Sequence, residues 1–407
     1  MENKGLYIHI PFCKRKCSYC VFLSKIPENT GETKSVTAAL QEEIRLYGKQ
    51  YPKAKIDTVF IGGGTPSLLS PAEIKALLDE IRDVFQPDSP EITMESNPES
   101  LTSVAIPGYM AAGINRFSMG VQSFQEEGCR RLGRLHTGKQ AMETFADLRR
   151  LDVGNINVDL MFAYPEQTMK EWKVDLGTVA ALQPEHVSLY SLQLEEGTDF
   201  YRDYRKGKLD LPSDALAKDM YREACNVMEA AGYDHYEISN WAKTGYRCLH
   251  NEKYWQYKDF IGVGPGTSSF ISGKRYKNIE DIHLWKEQVQ QGVFPIETGT
   301  AGIDETVKKE TFIDGVGIFC FTALRQREGI SFAVFEKTFG RPFKKVYRHI
   351  WNQLEEYKEK GYITISRQQL ALTREGIECS NDIMSAFLLD NDFEYPAMDT
   401  IKEDTHG

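Results

Sequence analysis

The chain lacks the features that would take it into a membrane or onto nucleic acid. Its 407 residues carry 49 Lys and Arg against 59 Asp and Glu, a formal charge of −10. Broad nucleic-acid binding usually leaves a basic footprint, so no such partner is expected. The longest apolar stretch, around Gly315–Leu324, falls far short of the roughly 20 residues that span a bilayer, and a transmembrane chain is not expected. A secretory leader is not expected, because the sequence goes straight into a strand-like segment. Low-complexity segments are missing, as are repeats beyond an alternating strand–helix unit. Eight cysteines, three clustered and five scattered, fit a reducing cytoplasm better than a disulfide scaffold. The apolar fraction of 41% and charged fraction of 27% suit an ordinary chain burying two or three cores.

What is present begins with three cysteines. Cys13, Cys17 and Cys20 have the spacing Cys-x3-Cys-x2-Cys, directly after the alternating run Leu6-Tyr7-Ile8-His9-Ile10. A four-iron cluster normally takes four thiolates. Three in one loop leave one iron with an open position, where a small molecule can bind and react. This spacing resembles the radical S-adenosylmethionine (SAM) superfamily, in which the open iron is chelated by SAM's methionine part. A zinc site would want a fourth Cys or His in the same loop. A disulfide would leave an odd thiol. Chance clustering of buried cysteines is the remaining reading.

Strand-like runs alternate with amphipathic helical runs through the first half. The strands expected are Leu6–Ile10, Asp57–Ile61, Glu91–Glu95, Asn115–Met119, Asn155–Leu160 and His186–Tyr190. Helical periodicity marks Ser35–Tyr51, Pro71–Phe85, Lys139–Leu151 and Thr168–Leu182. Ser70-Pro71-Ala72-Glu73 reads as a helix start with a capping box. Six β-α units imply an α/β fold, a parallel sheet forming an open partial (β/α)6 barrel, with chemistry at the C-terminal strand ends. From about Leu192 to Thr300 the alternation breaks down, apart from a long helix at Asp214–Ala231. Helix–helix–strand–turn–strand from about Asp304 is a winged-helix pattern. The domains expected are 1–195 (barrel), 196–303 (irregular extension), 304–395 (winged-helix-like) and a polar tail, 396–407.

Several residues suit ligand contact at strand ends. Gly62-Gly63-Gly64-Thr65-Pro66 follows the second strand, where bare backbone can approach a ligand or simply turn tightly. Glu95 ends the third expected strand, Gln122 lies just past the fourth, and Asp159 ends the fifth. Polar groups there are odd as packing elements and natural as ligand contacts. Arg134 could pair with a carboxylate, or be a solvated helical charge.

These motifs stand in an order that resembles the oxygen-independent coproporphyrinogen III oxidase family: His9-Ile10-Pro11-Phe12-Cys13, Gly62–Pro66, Gly120-Val121-Gln122-Ser123-Phe124, Gly133-Arg134-Leu135-His136 and Asp159-Leu160. The resemblance covers the whole chain. It implies a 4Fe–4S cluster on Cys13, Cys17 and Cys20. It also implies SAM contacts at Tyr7, Tyr19, Gly63, Gly64, Thr65, Glu95, Gln122, Arg134 and Asp159.

The family has two branches. Coproporphyrinogen dehydrogenases extend the cysteine motif to a fourth cysteine and carry a longer N-terminal arm. Here Phe22 holds the fourth position and Cys13 is almost at the start. The second branch consists of heme chaperones, and it also carries His-Asn-x-x-Tyr-Trp, present here as His250-Asn251-Glu252-Lys253-Tyr254-Trp255. The resemblance therefore implies a heme-binding protein that passes heme to acceptors. Neutral imidazole is a common heme ligand, and a helix would stack Tyr254 on the face of His250. The plain alternative is a hydrogen-bonded core histidine. Cys248 is a second conceivable ligand. Val21 departs from the acidic residue common in the family, and Phe312–Arg325 is longer and more apolar than the usual stretch.

The function expected is a SAM-binding 4Fe–4S heme chaperone. The enzyme alternative is oxygen-independent coproporphyrinogen III oxidase. Expected partners are heme and heme-accepting proteins, membrane respiratory enzymes among the candidates. The expected location is the cytoplasm, reaching the membrane's periphery if the acceptors are there, and a homodimer is one conceivable assembly.

Overall fold

The structure is a computed structural model that describes residues 3–297 and 307–389. The expected 303/304 boundary and the tail 396–407 lie outside the described residues. Two compact units form, Met1–Lys309 and Glu310–Gly407.

Six strands build the centre of the first unit: β1 (Lys4–Ile10), β2 (Ile56–Gly63), β3 (Glu91–Ser96), β4 (Arg116–Gln122), β5 (Ile156–Phe162) and β6 (His186–Ser191). Each pairs in parallel with the next. Helices return between them, and their starts follow local chemistry. Ser70 and Glu73 form the expected capping box on Pro71–Phe85. Thr168 and Glu171 form a second on Met169–Leu182. The first helix begins at Thr30, five residues before the periodicity suggests, because the Asn29 side chain accepts from the N–H groups of Gly31 and Glu32 at 2.8 and 3.2 Å. Helix Pro71–Phe85 buries Ile74, Leu77, Leu78, Ile81 and Phe85, each worth about 1.5–3 kcal/mol of removed apolar surface.

The region after β6 supplies five short strands: β7 (Asp234–Glu237), β8 (Asn240–Ala242), β9 (Phe260–Val263), β10 (Ser268–Ile271) and β11 (Lys274–Lys277). They extend both edges, giving the order β11-β10-β9-β1-β2-β3-β4-β5-β6-β8-β7. β9 runs parallel to β1, while β8 runs antiparallel to β6. Strands of three or four residues carry too few alternations to be read from periodicity. The sheet remains open, with β11 and β7 as its ends.

The two faces of this sheet differ in chemistry. One packs on the helices through Leu6, Ile8, Val59, Ile61, Met94, Phe117, Met119, Val158 and Leu189. The other presents Tyr7, Glu95, Arg116, Ser118, Asn157, Asp159, Ser188 and Tyr190 toward a cavity.

In the second unit, helix Phe312–Ala323 precedes β12 (Ile330–Ser331), helices Phe332–Phe339 and Trp351–Glu359, and the hairpin β13 (Ile363–Ile365) and β14 (Gln369–Leu372). The small sheet has the order β12-β14-β13. The unusual Phe312–Arg325 stretch is thus mostly a helix. Its Phe319 ring packs on Phe335 and Phe339, and Cys320 is buried.

Candidate functional site

The inner face of the first unit encloses a cavity of about 560 Å³. A (β/α) barrel interior is ordinarily filled by bulky branched side chains. Here the inward positions of β3–β6 are mostly polar, with Gly120 and Met161 among them, and space remains. The wall includes all thirteen residues singled out above: the three cysteines, the nine expected SAM contacts and His250.

The cysteine loop leaves the end of β1 and is tied on two sides. The Cys13 N–H donates to Lys25 O at 3.0 Å, and the Lys25 N–H donates to Pro11 O at 3.0 Å. From the glycine turn after β2, the Gly64 N–H donates to Ile10 O at 2.8 Å and the Thr65 N–H to Phe12 O at 2.7 Å. The Cys20 N–H closes a turn on Cys17 O at 3.1 Å. Thr65 Oγ1 lies 3.5 Å from Cys13 Sγ, and Arg134 Nη1 lies 3.5 Å from Cys17 Sγ. Burial raises the Cys20 thiol.

All three cysteines are free and half-buried. Among the described residues, no three Cys, His, Asp or Glu side chains gather at single-ion spacing. A 4Fe–4S cubane needs no such gathering, because each of its three thiolates takes a different iron. Phe22, at the position a fourth cysteine would hold, is 59% exposed at the cavity rim.

The glycine turn needs its glycines for geometry. Gly63 has φ +100, and a Cβ there would overlap the His9 ring. A Cβ on Gly64 would overlap the Phe12 carbonyl oxygen. The amides of Gly63, Gly64 and Thr65 are all committed to protein acceptors, so the turn offers a ligand its carbonyls and the Thr65 hydroxyl.

Two carboxylates face each other in the wall. Glu95 accepts from the Gly63 N–H at 3.0 Å. Burial and the nearby Asp159 push its carboxyl up to about 8, so it is uncharged at neutral pH. Asp159 is also raised by burial, held back by its hydrogen bonds from Asn157 and Ser118. It does not end its strand: β5 continues to Phe162, so Asp159 sits mid-strand, within the cavity. Gln122 is the last residue of β4 rather than beyond it, with φ +66 after a register shift at Gly120.

Tyr7 reaches His9 Nδ1 at 3.2 Å, and His9 Nε2 contacts Leu23 O at 2.8 Å. Arg134 is not a solvated helical charge. Its Nη2 donates to Asn97 Oδ1 at 2.5 Å and to Gly120 O at 2.7 Å. Its Nη1 lies 3.4 Å from the Tyr19 hydroxyl. The guanidinium therefore clamps the cysteine loop to β4.

His250 begins helix Leu249–Trp255, whose first amides are capped by Glu91. The helix does place Tyr254 on the histidine's face, with ring centroids 5.1 Å apart. Both ring nitrogens are engaged: Nδ1 with Thr58 Oγ1 at 2.9 Å and Nε2 with the Tyr254 hydroxyl at 2.8 Å. Burial, then the charges of Lys253 and Arg116, push its pKa down to about 3, so the ring is neutral. Cys248 is fully buried, is pushed up to about 12 by burial, and is not part of the cavity wall.

The residues that sequence reading missed are Arg116, Ser118, Asn157, Ser188 and Tyr190, all in the wall. Their signal was present as period-two polarity in strands otherwise apolar enough to be buried on both faces.

Comparison with known proteins gives the family. Residues 7–179 match the model of the radical SAM superfamily, and residues 319–378 that of the HemN C-terminal domain. The solved coproporphyrinogen III oxidase HemN from Escherichia coli superposes with a TM-score of 0.81 at 21% identity. That alignment covers 95% of this chain and 90% of HemN, and it speaks to fold. Heme chaperone HemW of Bacillus subtilis is 34% identical over 388 residues, 95% of this chain and 99% of that protein. Heme chaperone HemW of Lactococcus lactis is 33% identical over 96% of this chain and 98% of its own length. The chain belongs to the HemW family of radical SAM proteins.

Proposed function

We propose that this protein is a heme chaperone that holds a 4Fe–4S cluster and SAM, binds heme and hands it to heme-requiring proteins, respiratory enzymes among them. The observation that carries the reading is the end-to-end match to proteins named heme chaperone HemW. The exposed Phe22 in place of a fourth cysteine supports it against coproporphyrinogen oxidation.

On this reading Cys13, Cys17 and Cys20 hold the cluster. When bound, cluster and SAM supply an open iron position and one-electron chemistry. Tyr7, Tyr19, Gly63, Gly64, Thr65, Glu95, Gln122, Arg134 and Asp159 form the SAM set. Glu95 can donate a hydrogen bond from one oxygen while the other accepts from the Gly63 N–H. Arg134 keeps the cysteine loop against β4 and brings positive charge to Cys17. His250 is the heme-contact residue. It is already neutral, and its Nε2 would be free to hold iron once the Tyr254 hydroxyl turned away. We place the protein in the cytoplasm, at the membrane edge when its acceptors are respiratory enzymes, with the cluster governing dimer formation or heme release.

The test is an anaerobic titration of cluster-reconstituted protein with heme. A saturable Soret band and transfer to an apo-acceptor are expected, with no protoporphyrinogen formed from coproporphyrinogen, SAM and reductant. An intact cluster without saturable heme binding would overturn the reading.

A further inference from the structure

Arg116 opens β4, at the other end of the strand from the residues that clamp the cysteine loop. It lines the cavity yet is only 2% exposed. Its Nε is buried without a hydrogen-bond partner, and no carboxylate among the described residues stands at ion-pair distance. Thr93 pairs with Arg116 in register across β3 and β4, and its hydroxyl is also buried without a partner. Thr93 is itself fully buried and is not part of the cavity wall, so of the two only Arg116 faces the cavity.

The nearest acids are already engaged. Glu91 accepts from the backbone N–H groups of Leu249 and His250 at 3.3 and 3.2 Å. Asp159 accepts from Asn157 Nδ2 at 2.7 Å and Ser118 Oγ at 3.4 Å. A buried guanidinium without a direct partner is costly, and such a group in a cavity wall calls for an anion from outside the chain.

We propose that Arg116 is a carboxylate receptor in the cavity wall. The guanidinium supplies charge-assisted donors. Two ligands could bring the carboxylate: SAM, through its methionine end, or heme, through a propionate, the second source resting on the heme-chaperone reading. The geometry favours heme. Arg134 is held at Gly120, four positions along β4 from Arg116, or about 13 Å at the usual strand rise. A carboxylate kept beside the cysteines does not reach that far. His250 and Arg116 line the same cavity, so a carboxylate held at Arg116 and a metal near His250 would share it.

The test compares four ligands on full-length, cluster-reconstituted protein: heme, its dimethyl ester, SAM and decarboxylated SAM. Heme binding is read from Soret titration and SAM binding from equilibrium dialysis. Iron and sulfide content report that each variant is folded. Unaltered protein should bind heme about tenfold or more tighter than the ester. Arg116→Met should weaken heme to the ester's level and leave the ester unchanged. If instead Arg116→Met weakens SAM but spares decarboxylated SAM, the receptor stands and its carboxylate is SAM's. Equal binding of heme and ester, with SAM unaffected by Arg116→Met, overturns the receptor while leaving heme binding intact. If heme does not bind at all, the chaperone reading fails and the SAM pair alone decides the receptor. Should Arg116→Met not fold, the comparison of ligands on unaltered protein decides it.

Discussion

Replacing Gly64 with alanine should cost the protein its cluster while leaving the fold largely intact. Gly64 does not need an unusual φ, so alanine's backbone preference is not the problem. The problem is contact. A Cβ would overlap Phe12 O, and it would stand 2.8 Å from Ile10 O and 2.9 Å from Phe12 C. These are backbone atoms at the root of the cysteine loop, so no rotamer change relieves them. Reaching ordinary contact requires a shift of roughly half an ångström or more. That shift stretches the Gly64 N–Ile10 O and Thr65 N–Phe12 O hydrogen bonds, at 2.8 and 2.7 Å, which fasten Cys13 to the glycine turn. At about 1 kcal/mol each, their loss favours an open loop by about 2 kcal/mol, or about thirtyfold. The assay is iron and sulfide per chain after anaerobic reconstitution, with the melting temperature as a control on folding. Gly154→Ala is the matched control, since its Cβ would meet nothing within 4 Å. A Gly64→Ala protein that fills its cluster as readily as the Gly154→Ala protein would refute the reasoning.

Gly177 lies exposed in helix Met169–Leu182, and its Cβ would meet nothing within 4 Å. Gly177→Ala should therefore raise stability by about 0.5–1 kcal/mol in a urea titration, and a decrease would contradict the helix-entropy argument. Tyr254→Phe removes the hydroxyl that occupies His250 Nε2. If His250 ligates heme iron, this variant should tighten heme binding about two- to tenfold, and His250→Ala should weaken it; no change in either Soret titration removes His250 from the heme site. Glu43 is fully buried, accepting from the Gly264 N–H, Asn278 Nδ2 and Trp285 Nε1. Burial pushes its carboxyl from 4.5 up to about 7, so the folded state holds this proton more tightly than the unfolded state. The stability from that proton is complete below about pH 4.5 and is lost as pH rises toward 7. Glu43→Gln should thus gain in melting temperature relative to the unaltered protein across that window, and a constant difference by calorimetry would be the contrary result.

How far the site could be read in advance differs residue by residue. Cys13, Cys17 and Cys20 were visible because cluster ligation demands fixed spacing within one loop. Gly63 and Gly64 were visible as a turn, but their necessity is a matter of backbone contacts with His9 and Phe12 across two strands. The apolar run marks Asp159 as a ligand-type residue at a strand end, whereas Met161 and Phe162 extend β5 beyond it. Arg134 was ambiguous, since a single arginine near a helix is most often solvated. Only the approach of Gly120, Asn97 and Cys17 makes it a buried clamp.

The sequence by itself determined the strand–helix alternation, the capping boxes at Ser70 and Thr168, and the cysteine loop, because each depends on neighbours within a few residues. Tertiary structure alone decided which distant groups share a space. It carried β9 to the edge of β1, it brought Thr58 to one nitrogen of His250, and it left Arg116 and Thr93 side by side without partners. Those outcomes depend on strand register and on how much of the barrel interior stays unfilled. Neither is set by spacing along the chain.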